Sequence, residues 1–112
     1  MGRGEYLGEF EQIVLLAVAR LEAEAYGMSI RREIEARSGR HVSIGAVYAT
    51  LERLADKGYV VTRAGEASPE RDGRARKFFG LTRAGATALE AARTLQQRMW
   101  AGLKIRRERG RP

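Results

Sequence analysis

The stretch Ser43-Ile44-Gly45-Ala46-Val47-Tyr48-Ala49-Thr50-Leu51-Glu52-Arg53-Leu54 decides the fold. Ser43 can cap a helix, because its hydroxyl accepts a hydrogen bond from an amide of the first turn that would otherwise be unpaired. At about 100° per residue, Ile44, Val47, Leu51 and Leu54 then share one apolar stripe, while Gly45, Ala46, Ala49 and Arg53 point the opposite way. The helix is expected to run to about Lys57, with Gly58 ending it. Its outward face is small and uncharged at the start and basic at the end. The major groove of B-form DNA is about 12 Å wide and a dressed helix about 10–12 Å across, so a helix whose exposed start is glycine and alanine can seat deeply there. Ser43, Tyr48 and Thr50 offer hydroxyls near this face, and Arg53 can pair with a guanine edge or a phosphate.

Upstream, Glu9 to Glu24 reads as a helix with apolar residues over more than half of its circumference, which demands burial on two sides. A second helix is expected from Gly27 to Arg37, stopped by Gly39. Downstream, Tyr59–Ala64 and Arg76–Leu81 carry the β-branched and aromatic residues of two short strands forming a hairpin. The intervening Gly65–Ala75, with Pro69 and Gly73, reads as a mobile loop tip. Thr82 then caps a last helix reaching about Lys104, with Ala84, Ala88, Ala92, Leu95, Met99 and Leu103 at three- and four-residue spacing.

Three helices followed by a two-stranded ribbon is the order of a winged helix-turn-helix. The expected fold is therefore mainly α with a two-stranded β-wing, plus a long C-terminal dimerisation helix. The expected divisions are a DNA-binding region over 1–81, a dimerisation helix over 82–104, and a basic, disordered tail over 105–112. In this fold the third helix enters the major groove. Arg71 and Arg74 in the loop, with Arg76 and Lys77 in the strand, would contact phosphates or the minor groove. The expected DNA contacts are thus Ser43, Gly45, Ala46, Tyr48, Ala49, Thr50, Arg53, Arg71, Arg74, Arg76 and Lys77. His41, before the reading helix, is taken as a solvated loop residue.

A last helix of about 22 residues would span roughly 33 Å and overhang its own core. Bare Met99, Trp100 and Leu103 would then mark an interface. The expected twofold interface pairs Phe10, Val14, Ala17 and Leu21 of the first helix with Ala92, Leu95, Met99, Trp100 and Leu103 of the last. Such a pairing presents two reading helices to an inverted repeat.

Composition agrees with this reading and excludes others. The chain has 112 residues, 21 Lys and Arg against 14 Asp and Glu, and no cysteine. That length suits one domain. The net charge of +7 is uneven. Residues 1–30 carry two basic and five acidic groups, residues 31–83 twelve and seven, and the end from Lys104 five and one. A basic middle beside an acidic first helix suits a polyanion on one face. Without cysteine there is no disulfide, thiolate nucleophile or Cys-based metal site, and one histidine cannot build a His-rich one. The longest apolar run, Ile13–Ala19, is far short of the roughly 20 residues that cross a bilayer. Residues 1–10 lack the basic-then-apolar order of an export signal, so a cytoplasmic location is the default expectation.

Three segments in order resemble the PadR family of transcriptional regulators. They are Tyr26-Gly27-Met28-Ser29-Ile30, then Gly45 to Leu54 with Gly58-Tyr59-Val60, then Arg76-Lys77-Phe78-Phe79-Gly80-Leu81-Thr82-Arg83-Ala84-Gly85. The resemblance covers most of residues 7–103 and implies a dimeric winged-helix repressor with a single C-terminal dimerisation helix. Met28 and Ser29 stand where the family often has Tyr and Glu, Phe79 replaces a frequent Tyr, and Gly80 takes a commonly polar position. The departures bear on operator preference rather than fold. Some family members release DNA when aromatic molecules bind between subunits beside an aromatic on the last helix. By that resemblance Trp100 is a candidate ligand contact.

The leading expectation is a homodimeric, sequence-specific DNA-binding repressor. Its expected partners are double-stranded DNA, a second copy of the chain and a small aromatic effector, with no membrane, metal or cofactor. A competing reading is a winged-helix module that binds protein through its last helix without specific DNA binding. An enzyme is the poorest reading, because the sequence offers no nucleophile set, phosphate loop or evident carboxylate pair.

Overall fold

The computed structural model describes residues 6–67, 73 and 75–108. Six elements follow in order: α1 over Glu9–Leu21, α2 over Gly27–Ser38, α3 over Ile44–Asp56, β1 over Val60–Ala67, β2 over Ala75–Leu81 and α4 over Arg83–Trp100. Mainly helical, with one two-stranded antiparallel sheet, it is the winged-helix arrangement read from the sequence. None of the described helices is long and apolar enough to cross a membrane.

Local chemistry sets the boundaries. The amide of Gly8 donates to Glu11 Oε1 at 2.8 Å, which satisfies one free donor at the start of α1. α1 ends at Leu21 rather than Glu24, because Glu22 takes a φ of +53° and a single 3-10 turn covers Glu22–Glu24. That break frees Ala25 and Tyr26 to act as a third, minimal strand. Phe79 N–H donates to Ala25 O at 2.8 Å, and Tyr26 pairs with Phe78. Gly39 ends α2 with a φ of +71°, in the left-handed region that glycine enters without strain. Ser43 caps α3 by accepting from Ala46 N–H at 3.1 Å, and Thr82 caps α4 by accepting from Gly85 N–H at 3.0 Å.

Core residues come from every layer except the far half of α4. Val14, Leu15 and Val18 of α1 meet Ile30 and Ile34 of α2 and Val47, Leu51 and Leu54 of α3, and Tyr59, Val60 and Phe79 close the sheet side. Each fully buried aliphatic contributes roughly 1.5–3 kcal/mol relative to exposure. In the sheet, Val60 pairs with Leu81 and Ala64 with Lys77, after which Gly65 and Glu66 together face Arg76 in a bulge. β1 therefore runs past the expected end at Ala64. Gly65 is needed there, since a Cβ would lie 2.5 Å from the Phe78 ring. The expected mobile tip falls largely on residues 68–72 and 74, which lie outside the described residues.

α4 stops at Trp100 rather than Lys104, with Gly102 at a φ of +73° turning the chain out of the helix. Beyond it the backbone to residue 108 is irregular, and 109–112 lie outside the described residues. α4 is anchored at its start, where Gly85 is buried so close to the Tyr59 carbonyl that no Cβ would fit. Past Leu89 no residue of α4 is buried.

Candidate nucleic-acid interface

α3 separates into the two faces its periodicity demands. Val47, Leu51 and Leu54 are fully buried, while Ser43, Gly45, Ala46 and Ala49 are exposed. Tyr48 is 44% exposed and lies across the backbone of Gly27, the first residue of α2. Gly27 is buried for this reason: a Cβ there would overlap the Tyr48 ring and hydroxyl. The contact packs α3 closely against the start of α2.

Thr50 corrects the sequence reading. It is only 2% exposed, because it stands three residues after Val47 and so shares the buried stripe. Its Oγ1 accepts from Arg53 Nη2 at 3.1 Å. Thr50 therefore holds Arg53 and offers nothing to a ligand. Arg53 is exposed at its edge, but its Nε also lies 3.6 Å from Glu11 Oε2, which draws the guanidinium toward α1.

Glu11 is the hub of this corner. Lys57 Nζ donates to Glu11 Oε2 at 2.9 Å and Oε1 at 3.0 Å, and to the Tyr6 carbonyl at 3.1 Å. Burial opposes the Glu11 charge. The Gly8 N–H, the Lys57 ammonium and the Arg53 guanidinium outweigh it, holding the carboxyl below its ordinary range. On the opposite side, Glu35 secures the α2–α3 turn by accepting from Val42 N–H at 3.1 Å. That bond, against some desolvation and aided by Arg31 and His41, lowers its pKa as well. His41 is exposed beside Glu35, as a loop histidine should be.

A second basic group surrounds the root of the sheet. The Tyr26 and Phe78 rings meet edge to face with centroids 5.7 Å apart. Arg76 lies over Tyr26 at 4.0 Å from its centroid, Arg32 at 5.9 Å, and Arg63 over Phe78 at 4.5 Å. Arg32 Nη2 donates to the Tyr26 hydroxyl at 2.9 Å, and Arg63 Nη2 to the Ala23 carbonyl at 2.9 Å. Of these arginines, sequence reasoning selected only Arg76. Lys77 points to the other face of the strand, 6.0 Å from the Phe79 ring centroid. Arg71 and Arg74 lie outside the described residues.

The expected interface set also needs correction. Val14 and Ala17 are buried in the core of their own chain, so neither can meet a partner. Phe10 and Leu21 are half-buried against that core, and Leu16, at 48% exposure, is the bare apolar residue of α1. An apolar pattern covering most of a helix does not say which side faces inward. Ala92 is half-buried, whereas Leu95, Met99, Trp100 and Leu103 are all more than half exposed. A groove of about 460 Å³ runs between α1 and α4, lined in part by Gln12, Leu16, Leu89, Ala92 and Gln96. Trp100 is beyond its lining.

Comparison with known proteins agrees with this architecture. Residues 15–91 match the PadR-like family of transcriptional regulators. RosR of H. salinarum, in a complex structure, is 27% identical, with a TM-score of 0.68 over 90% of this chain and 82% of that one. A PadR-like transcription factor from Bacteroides fragilis is similar in fold, at 23% identity and a TM-score of 0.66, covering 80% and 82% of the two chains. So is a PadR family regulator from Clostridium difficile, at 22% identity and a TM-score of 0.64 over 82% and 90%. No curated protein sequence matches significantly.

Proposed function

Because the chain belongs to the PadR-like family of transcriptional regulators, which are winged-helix DNA-binding proteins, we propose that it is a homodimeric repressor occupying an inverted-repeat operator. The observation that carries this reading is the bare Gly45-Ala46-Ala49 face of α3 opposite a fully buried stripe. A surface so small and uncharged admits close approach to base edges, and Ser43 and Tyr48 flank it with hydroxyls for the backbone. Arg53 contacts the duplex from the edge of this face, and Arg76 and Lys77 do so from the wing.

Dimerisation follows from α4. Its exposed Leu95, Met99 and Trp100, continued by Leu103, form a bare apolar stripe that a twofold partner covers. Two copies then place their α3 helices on half-sites whose centres lie about one helical turn, roughly 34 Å, apart. Repression follows by occupancy of the operator.

An aromatic effector enters at the dimer contact beside Trp100, where the indole face supplies a stacking surface. Nuclease footprinting of promoter fragments tests the DNA reading: a symmetric protected region is expected, and uniform protection of every fragment overturns it. Titration of Trp100 fluorescence with planar aromatics tests the effector, and the absence of saturable quenching removes it.

A further inference from the structure

We infer that Arg32, Arg63 and Arg76, held on the Tyr26–Phe78 ring pair, form a phosphate-binding cluster that grips the backbone of duplex DNA beside the groove entered by α3. The inference rests on the DNA-binding reading above and adds Arg32 and Arg63 to the contact already given to Arg76.

Placement is the first ground. Tyr26 precedes Gly27, the residue on which Tyr48 of α3 rests, so the cluster begins where the reading helix touches α2. Phe78 joins it to the wing through the Tyr26–Phe78 bridge. Three elements thus deliver cations to one spot: Arg32 from α2, Arg63 from β1 and Arg76 from β2.

Charge is the second ground. Four nearby cations have acidic partners: Arg31 with Glu35, Arg37 with Glu33, Arg40 with Glu9 and Lys57 with Glu11. Among the described residues, no carboxylate pairs with Arg32, Arg63 or Arg76. Arg32 and Arg76 share the Tyr26 ring, so their guanidinium carbons lie within about 10 Å of each other, near the screening length at 0.1 M salt. Like charges gathered at that range are relieved by an anion.

Geometry is the third. A guanidinium against an aromatic face is fixed in plane while its N–H edges stay available, the arrangement that suits phosphate oxygens. Arg32 commits one donor to Tyr26 and Arg63 one to Ala23, out of about five on each group. The rings therefore orient the arginines and leave donors unspent.

Binding to a fixed duplex, measured from 50 to 200 mM salt for the wild type, Arg32→Gln, Arg63→Gln, Arg76→Gln and the triple variant, tests this. Circular dichroism melts confirm that each protein is folded. Every lost phosphate contact is expected to flatten the slope of log K against log salt by about 0.9, and each substitution stands in both protomers of the dimer, so the triple variant loses about 5.4. Over that range the wild type then loses roughly 2,000-fold more affinity than the triple variant. Inorganic phosphate, titrated alone, is expected to compete only at high millimolar levels; saturable tight binding that leaves the duplex slope unchanged assigns the cluster to free phosphate and overturns the proposal. A wild-type slope in the folded triple variant overturns it too, and if the triple does not fold, unchanged slopes in all three single variants do the same. A wild type that binds no duplex sinks the DNA reading itself, whereas selective wild-type binding with unaltered variant slopes sinks the cluster alone.

Discussion

The ring of Tyr48 lies across the α-carbon of Gly27, so α3 is seated on the first turn of α2. Glycine here serves close approach, since its backbone is helical and needs no special torsion. Gly27→Ala is expected to leave stability within about 1 kcal/mol of wild type, because alanine favours the helix and the half-exposed Tyr48 can swing away. The displaced ring then intrudes on the face of Gly45 and Ala49. Duplex affinity is expected to fall roughly tenfold, about the effect of one misfitted base pair. Adding Tyr48→Ala should restore part of it, and a binding cycle over the four proteins measures the coupling.

Glu11 gives the fold an acid-sensitive corner. Its folded pKa is depressed, so its contribution is present above the unfolded carboxylate value of about 4.3 and is lost as pH falls through the lower folded value. Glu11→Gln is expected to cost about 1–3 kcal/mol at pH 7, since Lys57 and Arg53 are left facing a neutral amide. The variant should also lose less stability than wild type between pH 5 and about pH 3. Urea melts across that range check both statements.

Much of this was legible in the sequence, and the failures share a cause. Ser43, Val47, Leu51, Leu54 and Thr82 announced two helix starts and a buried stripe, because caps and 3.6-residue periodicity act within a few residues. Thr50 departs from its expected place because a hydroxyl suits DNA by residue type alone, while a position three residues after Val47 lies on the buried stripe. In α1 the apolar residues are too many to show a direction, and the pattern does not reveal that Val14 and Ala17 face the core while Leu16 is bare. The arginine cluster was invisible for a different reason. Arg32, Arg63 and Arg76 are far apart in the chain, and only the bridge between Tyr26 and Phe78 gathers them. The one sequence signal was an aromatic at the start of α2 and another in β2, with basic residues nearby.

Gly85 is the opposite case to Gly27. A Cβ there would collide with the Tyr59 carbonyl, which is backbone and cannot rotate away. Gly85→Ala is expected to destabilise by about 2 kcal/mol or more, as overpacking against a fixed wall does. Thermal melts should show this loss, and the start of α4 should gain hydrogen-exchange rate before the core does.

Met99 is 71% exposed and Trp100 54%. Met99→Glu, on a surface that touches no core, should leave the monomer's helical content intact while raising the dimer dissociation constant by at least tenfold, through like charges brought together at a twofold axis. Sedimentation velocity across a micromolar concentration series reads the shift. An unchanged dimer population would place the interface elsewhere.

Selection of bound duplexes from a random pool, run in parallel with wild type and Ala49→Leu, probes the central claim most directly. Wild type is expected to enrich an inverted repeat with half-site centres about one turn apart, and Ala49→Leu to lose that enrichment by roughly 5- to 150-fold while remaining folded. Recovery of unselected sequence by the wild type, or an identical motif from the leucine variant, would contradict the assignment of α3 as the reader.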